Sequence, residues 1–408
     1  MTNTSRNNNP HNSLQKRDWI LLPLLAVAAP CLLLFFANLM LRPIYTTTNH
    51  RLSQCLNYAH PGAGIPGIPN CTTYDKSFDT PLIQYTFNQC GLRSESGCER
   101  SAPDTYTIAM VGSSVPLGQW VPFHQSIAAM LQTDLADSTH RKIAVENFAR
   151  MEEFPPLIPK LLPRVLNTAP DNILLVISPY DLQVSSADPT EMMNTARMTS
   201  TSRFKFWTDY FMHAIFSSSP SEAISAIKLP IHNIEQKSRL GTFTLDFIDS
   251  NKSIYLRSSL IDNDTGIGYL SINPSSFWMQ DYLKFENYVQ VIAQTAKSHH
   301  IAFQVALVPS RPQEVMLNSG SWPAGYDPYF LDRKVQSIVT ASGGTFLDIF
   351  PACARDFDLE KHYYIQNGHP DGIAQTRLAR MISDAMLRNP SPSIMGKTEK
   401  KPSQKGAQ

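Results

Sequence analysis

From residue 105 onward the chain alternates short apolar runs with longer stretches whose apolar residues recur at helical spacing. Residues 106–111, 142–146, 172–178, 302–308 and 345–347 read as strands. The third of these, Asn172-Ile-Leu-Leu-Val-Ile-Ser178, is apolar almost throughout, as in a strand covered on both faces of a parallel sheet. Residues 119–135, 154–166, 276–297, 327–340 and 372–387 read as helices, and Pro155 with Pro156 is compatible with a first helical turn. Five strands alternating with helices predict an α/β fold, a three-layer doubly wound parallel sheet built from residues 105–182 and 273–388. Residues 183–272 break the rhythm with Ser/Thr clusters and scattered aromatics. They read as an insertion with Phe204, Phe206, Trp207, Tyr210, Phe211 and Phe216 as its core.

Ahead of the sheet, residues 19–41 hold no charge, and as a helix they reach ~34 Å at ~1.5 Å per residue. That matches a hydrocarbon core of ~30 Å and predicts one N-terminal transmembrane helix, in which Pro23 and Pro30 are tolerated. A cleaved signal peptide competes, because Ala26-Val-Ala28 resembles a small-residue cleavage site. The apolar run through Leu32, Leu33, Leu34, Phe35 and Phe36 is too long for a simple signal core. Arg6, Lys16 and Arg17 place the N-terminal side in the cytoplasm. The expectation is a single-pass inner-membrane protein: a polar cytoplasmic tip at 1–18, and the bulk of the chain periplasmic. Residues 43–104, rich in Pro, Gly, Thr and Cys, read as an irregular stapled lead-in, and 389–408 as a disordered tail.

Composition sharpens this picture in three ways. Charged residues make up 17% of the 408, against ~25% in ordinary soluble domains, and the apolar N-terminal segment accounts for part of the deficit. A net charge of +1 gives no case for nucleic acid, and Lys397, Lys400, Lys401 and Lys405 read as a solvated end. Cys55, Cys71, Cys90 and Cys98 cluster in the lead-in, as disulfides do in an exported chain. Pairs 55–71 and 90–98 would close small loops, though spacing alone does not fix the connectivity, and Cys353 is left over. Zinc fits less well, since the paired C-x₂₋₄-C spacing is absent. Asp262-Asn-Asp264-Thr-Gly266 lacks the closing Glu of a calcium loop and reads as a turn; His299-His300 reads as a helix end. No metal and no cofactor are implied.

The candidate chemistry lies at the end of the first strand. Gly112-Ser-Ser114 turns an apolar strand into a helix and presents a hydroxyl at the C-terminal sheet edge, where α/β folds hold their ligands. An alcohol is a weak nucleophile until a base takes its proton. Of eleven histidines, His369 in Asn367-Gly-His-Pro370 is best placed, in a loop after the last strand and beside the last helix. On these two tripeptides alone the plainer reading, a Ser-capped turn and a second turn, is the stronger. Glu152-Glu153 reads as a solvated loop edge rather than an acid/base pair.

The ordered set of segments resembles the SGNH/GDSL hydrolase superfamily, particularly its membrane-anchored, exported branch. Tyr85-Thr-Phe-Asn-Gln-Cys-Gly-Leu-Arg93 resembles the segment that shortly precedes the family's nucleophile. Gly112, Ser114 and Gly118 fit the nucleophile block, Val145-Glu-Asn147 stands at the second block, and Ile177-Ser-Pro-Tyr-Asp-Leu182 at the third. His369-Pro-Asp-Gly372 stands at the last. The resemblance spans about residues 80–388 apart from the insertion. It implies the flavodoxin-like SGNH fold, Ser114 as nucleophile and His369 as base.

The chain departs from the family's pattern at four places. Ser113 stands where the family has Asp before the nucleophile. Glu152 stands near the place of the second-block Gly, an oxyanion donor through its backbone N–H. Tyr180, followed by Asp181, stands for the third-block Asn, the other donor. Asn367, or its neighbour Gln366, stands for the Asp that orients the histidine. Losing one oxyanion donor costs about 10²–10³ in rate. An Asn in place of the orienting Asp costs on the order of 10⁴ in a serine protease. The resemblance thus implies a catalytic set of Ser114, His369 and Asn367 with an oxyanion site at Ser114, Glu152 and Tyr180. The implied activity is that of a serine esterase or O-acyltransferase acting on acyl esters of cell-envelope glycans or lipids. The alternative is a noncatalytic envelope scaffold or glycan-binding protein on the same fold.

Overall fold

Strand β-propensity and apolar runs converge on one sheet. In the computed structural model, residues 18–41, 49–56, 67–77, 79–95, 102, 104–151, 158–183, 239–261, 267–365, 367–391 and 394 are described. In chain order the strands are β1 (Asn49–His50), β2 (Thr72–Lys76), β3 (Ile83–Thr86), β4 (Thr105–Gly112), β5 (Lys142–Asn147), β6 (Asn172–Ile177), β7 (Ala302–Leu307) and β8 (Thr345–Phe346). The last five form a parallel sheet of order β5-β4-β6-β7-β8. Numbered within that sheet the order is 2-1-3-4-5, the flavodoxin-like arrangement, whose switch point falls between β4 and β6. Gly112 pairs with Val176 and Met110 with Asn147, so β4 is flanked on both sides at its C-terminal end.

Every residue of β6 is buried, as its unbroken apolar run requires of a strand covered on both faces. The helices Ile127–Thr139 and Gly372–Arg388 pack together in one layer, while Ile158–Asn167, Ser276–Ser298 and Phe330–Ala341 form the other. Hydrophobic residues from all of them join one core, with Trp278, Phe285 and Phe350 among its largest buried side chains.

Three expectations change. The helix expected at 119–135 is divided: a short turn Ser114–Leu117, a 3₁₀ turn Phe123–Gln125, and a helix that begins at Ile127 with Ser126 as its cap. Gly118 and Pro122 interrupt what side-chain spacing alone makes continuous. The lead-in at 43–104 is not wholly irregular, because β1, β2 and β3 form an antiparallel sheet with Thr73 opposite Tyr85. A second small core of Leu52, Leu56, Ile83, Tyr85 and Phe87 fastens that sheet to Leu117, in the turn that carries Ser114.

The third change concerns the N-terminus. Asp18–Met40 is helical, but among the described residues no helix is long and apolar enough to cross a membrane. The side chains of residues 18–23 and of Val27 fall outside the described residues, which shortens the apolar run that remains. The transmembrane helix expected at 19–41 is therefore not supported here. Cys55 and Cys71 form a disulfide. Cys90 is disulfide-bonded too, and Cys98, its expected partner, lies outside the described residues. Cys353 is free and buried. Residues 184–238, with the insertion's aromatics, and most of 389–408 also lie outside the described residues.

Candidate active site

The end of β4 turns sharply because Gly112 takes φ +149°, a conformation that side chains disfavour. A Cβ there would sit 2.2 Å from the Val176 carbonyl oxygen and 2.6 Å from Pro116 Cγ. Only glycine fits. The chain then makes the single turn Ser114–Leu117 and leaves it through Gly118 at φ +77°. Asn147, at the end of β5, donates from Nδ2 to the Pro116 carbonyl at 2.9 Å. Its side chain braces the turn from below.

A buried arginine holds the other side. Arg93 donates from Nη1 to the carbonyls of Leu117 (2.9 Å) and Gly118 (2.6 Å), and from Nη2 to that of Val121 (2.7 Å). Its guanidinium lies 4.3 Å over the Tyr85 ring. Burial pushes the Arg93 pKa down to about 10, and the neighbouring Tyr85 works against that. The Tyr85 hydroxyl accepts from the Trp120 N–H at 2.6 Å, and Trp120 Nε1 donates to Asp75 at 2.8 Å. Both partners belong to the antiparallel lead-in sheet, which therefore grips the loop that follows Ser114.

Across this rim stands His369, 255 residues away in sequence. Its Nε2 lies 2.8 Å from Ser114 Oγ. The partners of Nδ1 are oxygens, the Asn367 carbonyl at 3.2 Å and Asn367 Oδ1 at 3.1 Å. An N–H must point at them, so Nδ1 carries the proton and Nε2 offers its lone pair to the serine hydroxyl. Burial lowers the His369 pKa to about 4, with the Asn367 carbonyl acting in the opposite direction, which keeps the imidazole neutral at neutral pH. A neutral ring with its lone pair on a serine hydroxyl is the state a general base needs.

The pair opens into a cavity of about 320 Å³ lined by Met151, Val308, Pro309 and Tyr363 along with four predicted site residues, Ser114, Tyr180, Asn367 and His369. Ser114, His369 and Asn367 come together as one hydrogen-bonded group. Tyr180 lies in the helix Pro179–Gln183 and lines the same cavity; a Cβ at Gly368 would sit 3.4 Å from its hydroxyl. Glu152 lies outside the described residues.

Ser113 stands where the pattern this chain resembles has Asp, and the carboxylate beside it comes from the neighbouring strand end. Ser113 Oγ donates to Asp181, which also accepts from the Ser178 N–H (2.5 Å) and Ser178 Oγ (2.9 Å). Asp181 is buried, and burial pushes its carboxyl above the usual carboxylate range while the three donors oppose the shift. The network ties the end of β4 to the end of β6 at the switch point. Asp75, Trp120, Asp181 and Asp79, whose Oδ1 accepts from Asn367 Nδ2 at 3.2 Å, are site residues that sequence reasoning did not assign. Only Asp181 carried a signal, as the acid following Tyr180.

No family model matches this chain, and no curated protein matches it. Among solved structures it is similar to a lipase/acylhydrolase from Enterococcus faecalis, at 10% identity and a TM-score of 0.36, with 70% of this chain and 96% of that one covered. It is similar also to the psychrotrophic esterase EstA from Pseudoalteromonas sp. (10% identity, TM-score 0.35, 69% and 97% covered) and to TesA (13% identity, TM-score 0.35, 69% and 98% covered). At such identities and TM-scores these likenesses assign neither activity nor substrate. The chain's own strand order and its Ser114–His369 pair define it as a flavodoxin-like α/β protein with a serine–histidine site at the switch point.

Proposed function

We propose that this protein is a serine hydrolase of ester bonds of the SGNH/GDSL type. The single observation that carries the reading is the 2.8 Å approach of His369 Nε2 to Ser114 Oγ inside an open cavity. In the first half-reaction Ser114 Oγ attacks the ester carbonyl carbon and its proton passes to His369 Nε2. The resulting oxyanion is met by the Ser114 backbone N–H, at the start of a helical turn where the first N–H groups lack an intrahelical partner, and by the Tyr180 hydroxyl. His369 then returns the proton to the leaving alcohol as the C–O bond breaks, and an acyl-serine remains. In the second half-reaction a water, or an acceptor hydroxyl in a transferase, attacks the acyl-serine with its proton passing to His369; the acyl–Oγ bond then breaks as His369 returns that proton to Ser114, releasing the acid or the new ester.

The proposed setting is outside the cytoplasm at a membrane, with acyl esters of envelope glycans or lipids as substrates. The Cys55–Cys71 disulfide supports an oxidising compartment. The helix Asp18–Met40 supports attachment to a membrane, since it leaves Leu33 71% exposed and Phe35 and Met40 exposed as well.

A fluorophosphonate probe tests the reading. Covalent labelling of the wild type that disappears in Ser114→Ala, along with hydrolysis of a short-chain nitrophenyl ester, supports a hydrolase. Absence of labelling on folded protein leaves a noncatalytic binding module on the same fold.

A further inference from the structure

Resting on the catalytic reading above, we infer that Asp79 is a positioning residue for His369, acting through the amide of Asn367 as the outer member of a Ser114–His369–Asn367–Asp79 relay. Asn367 Nδ2 donates to Asp79 Oδ1 at 3.2 Å. On its other side Asn367 Oδ1 accepts from the His369 backbone N–H at 2.9 Å and faces His369 Nδ1 at 3.1 Å.

The orientation of a primary amide follows from its neighbours. With the oxygen toward His369, all three contacts pair a donor with an acceptor. Turned over, the amino group would meet two N–H donors and the oxygen would meet a carboxylate, so three attractions would become three repulsions. The ionised carboxylate of Asp79 cannot donate at all, which makes it the anchor of this choice. By fixing the oxygen toward Nδ1, it joins the Asn367 main-chain carbonyl, 3.2 Å from the same nitrogen, in holding the proton on Nδ1 and leaving the Nε2 lone pair for Ser114 Oγ.

The relay also supplies a charge that Asn367 lacks. An imidazolium forms on His369 when the serine proton is taken, and a neutral amide balances it only partly. Asp79 lies one amide further out, on the same line of hydrogen bonds. Burial dominates at both neighbouring groups, lowering the Lys76 pKa and raising that of Tyr364; the Asp79 charge opposes the first shift and, after Asp371, adds to the second. Asp79 sits in the turn between β2 and β3, with Ser77 N–H donating to Thr80 Oγ1 at 2.7 Å and Lys76 Nζ donating to the Thr80 carbonyl at 2.5 Å. The lead-in sheet thus contributes to the histidine as well as to the nucleophile loop.

The test is an exchange of partners in the full-length protein. Asp79→Ala should lower kcat about 10- to 100-fold, by analogy with the loss of an outer partner at metal-bound histidines, with KM nearly unchanged. Asn367→Asp should also lose activity, because it sets two carboxylates against each other. Combining Asp79→Asn with Asn367→Asp restores a donor–acceptor pair and moves the charge next to His369, and should recover kcat to within about tenfold of wild type. A purely structural role for Asp79 predicts no such rescue. Nitrogen NMR shifts of the His369 ring provide a second readout, independent of turnover: the Nδ1–H tautomer should dominate in the wild type and mix with the other in Asp79→Ala. Wild-type kcat and tautomer in folded Asp79→Ala, or no recovery in the exchanged pair, would overturn the relay while Ser114→Ala remains inactive. Unchanged activity in Ser114→Ala would overturn the catalytic reading and the relay together.

Discussion

Trp120 stands edge-on to His369, with ring centroids 4.9 Å apart and planes at 83°. It reaches that place at φ +57°, held by the Tyr85 hydroxyl on its N–H and Asp75 on its indole nitrogen. The indole shields the imidazole from water, and burial is what depresses the His369 pKa to about 4. The base must be neutral to act, so kcat/KM should lose its acid limb near pH 4 rather than near the ordinary histidine value of about 6.5.

Replacing the indole tests that link. Trp120→Ala admits water to the ring, and the acid limb of kcat/KM should move upward toward about 6.5, leaving activity above that pH measurable. A pH–rate profile over the acid range checks this; an unmoved limb would mean that other groups desolvate the ring.

Arg93 is expected to govern the nucleophile loop. Arg93→Met removes three donors; the Gly118 carbonyl keeps the Val121 N–H at 3.1 Å, while the carbonyls of Leu117 and Val121 lose the guanidinium in a buried setting. Stranded polar groups cost about 1–3 kcal/mol each, so denaturant unfolding should show a loss of about 3–5 kcal/mol after partial relaxation. The folded fraction should also have a lowered kcat, because Ser114 and Trp120 flank the freed carbonyls.

Stability should peak in mild acid. Burial pushes Glu146 and Asp332 up to about 7 and Glu314 up to about 8. A carboxyl raised in this way holds its proton in the folded state after the unfolded chain has released it. Its contribution is full below about pH 4 and is lost as pH rises through 7–8. His369 acts in the opposite sense: its folded value of about 4 lies below the unfolded one, so stability falls as pH drops from about 6.5 to 4. Above about pH 4.5 the three raised carboxyls outweigh the one lowered histidine, so thermal unfolding should show stability falling from there to about pH 8. Glu314→Gln should flatten the alkaline decline, and an unchanged slope would show that Glu314 does not contribute to it.

The Cys55–Cys71 disulfide closes a separation of 16 residues, for which chain entropy predicts about 3 kcal/mol. Cys55→Ser with Cys71→Ser should lower Tm, and it should also slow turnover, because the same small core packs against Leu117. Wild-type kcat with a lowered Tm would separate the staple from the site.

Some of this was legible from local pattern. The five parallel strands are runs whose own apolar character sets their burial, and Ser114 and His369 stand in short segments with turn chemistry of their own. The lead-in sheet was missed because β1 has two residues and β3 four, too short to show alternation against a Pro- and Gly-rich background. The helix Arg311–Ser319 was missed although Ser310, Pro312 and Gln313 carry its start signal, a capping box that the structure forms.

By itself, the sequence determined the α/β class, the hydroxyl at the end of β4 and the imidazole before the last helix, because each is encoded within a few neighbouring residues. Tertiary structure alone decided that Arg93 grips the nucleophile loop, that Trp120 dries the base, that Asp181 serves Ser113 and that Asp79 reaches Asn367. Each of those is a hydrogen bond or ring contact between segments distant in the chain. Charge and hydrogen-bond direction act through space, and a pattern along one dimension carries no record of which distant carboxylate will arrive.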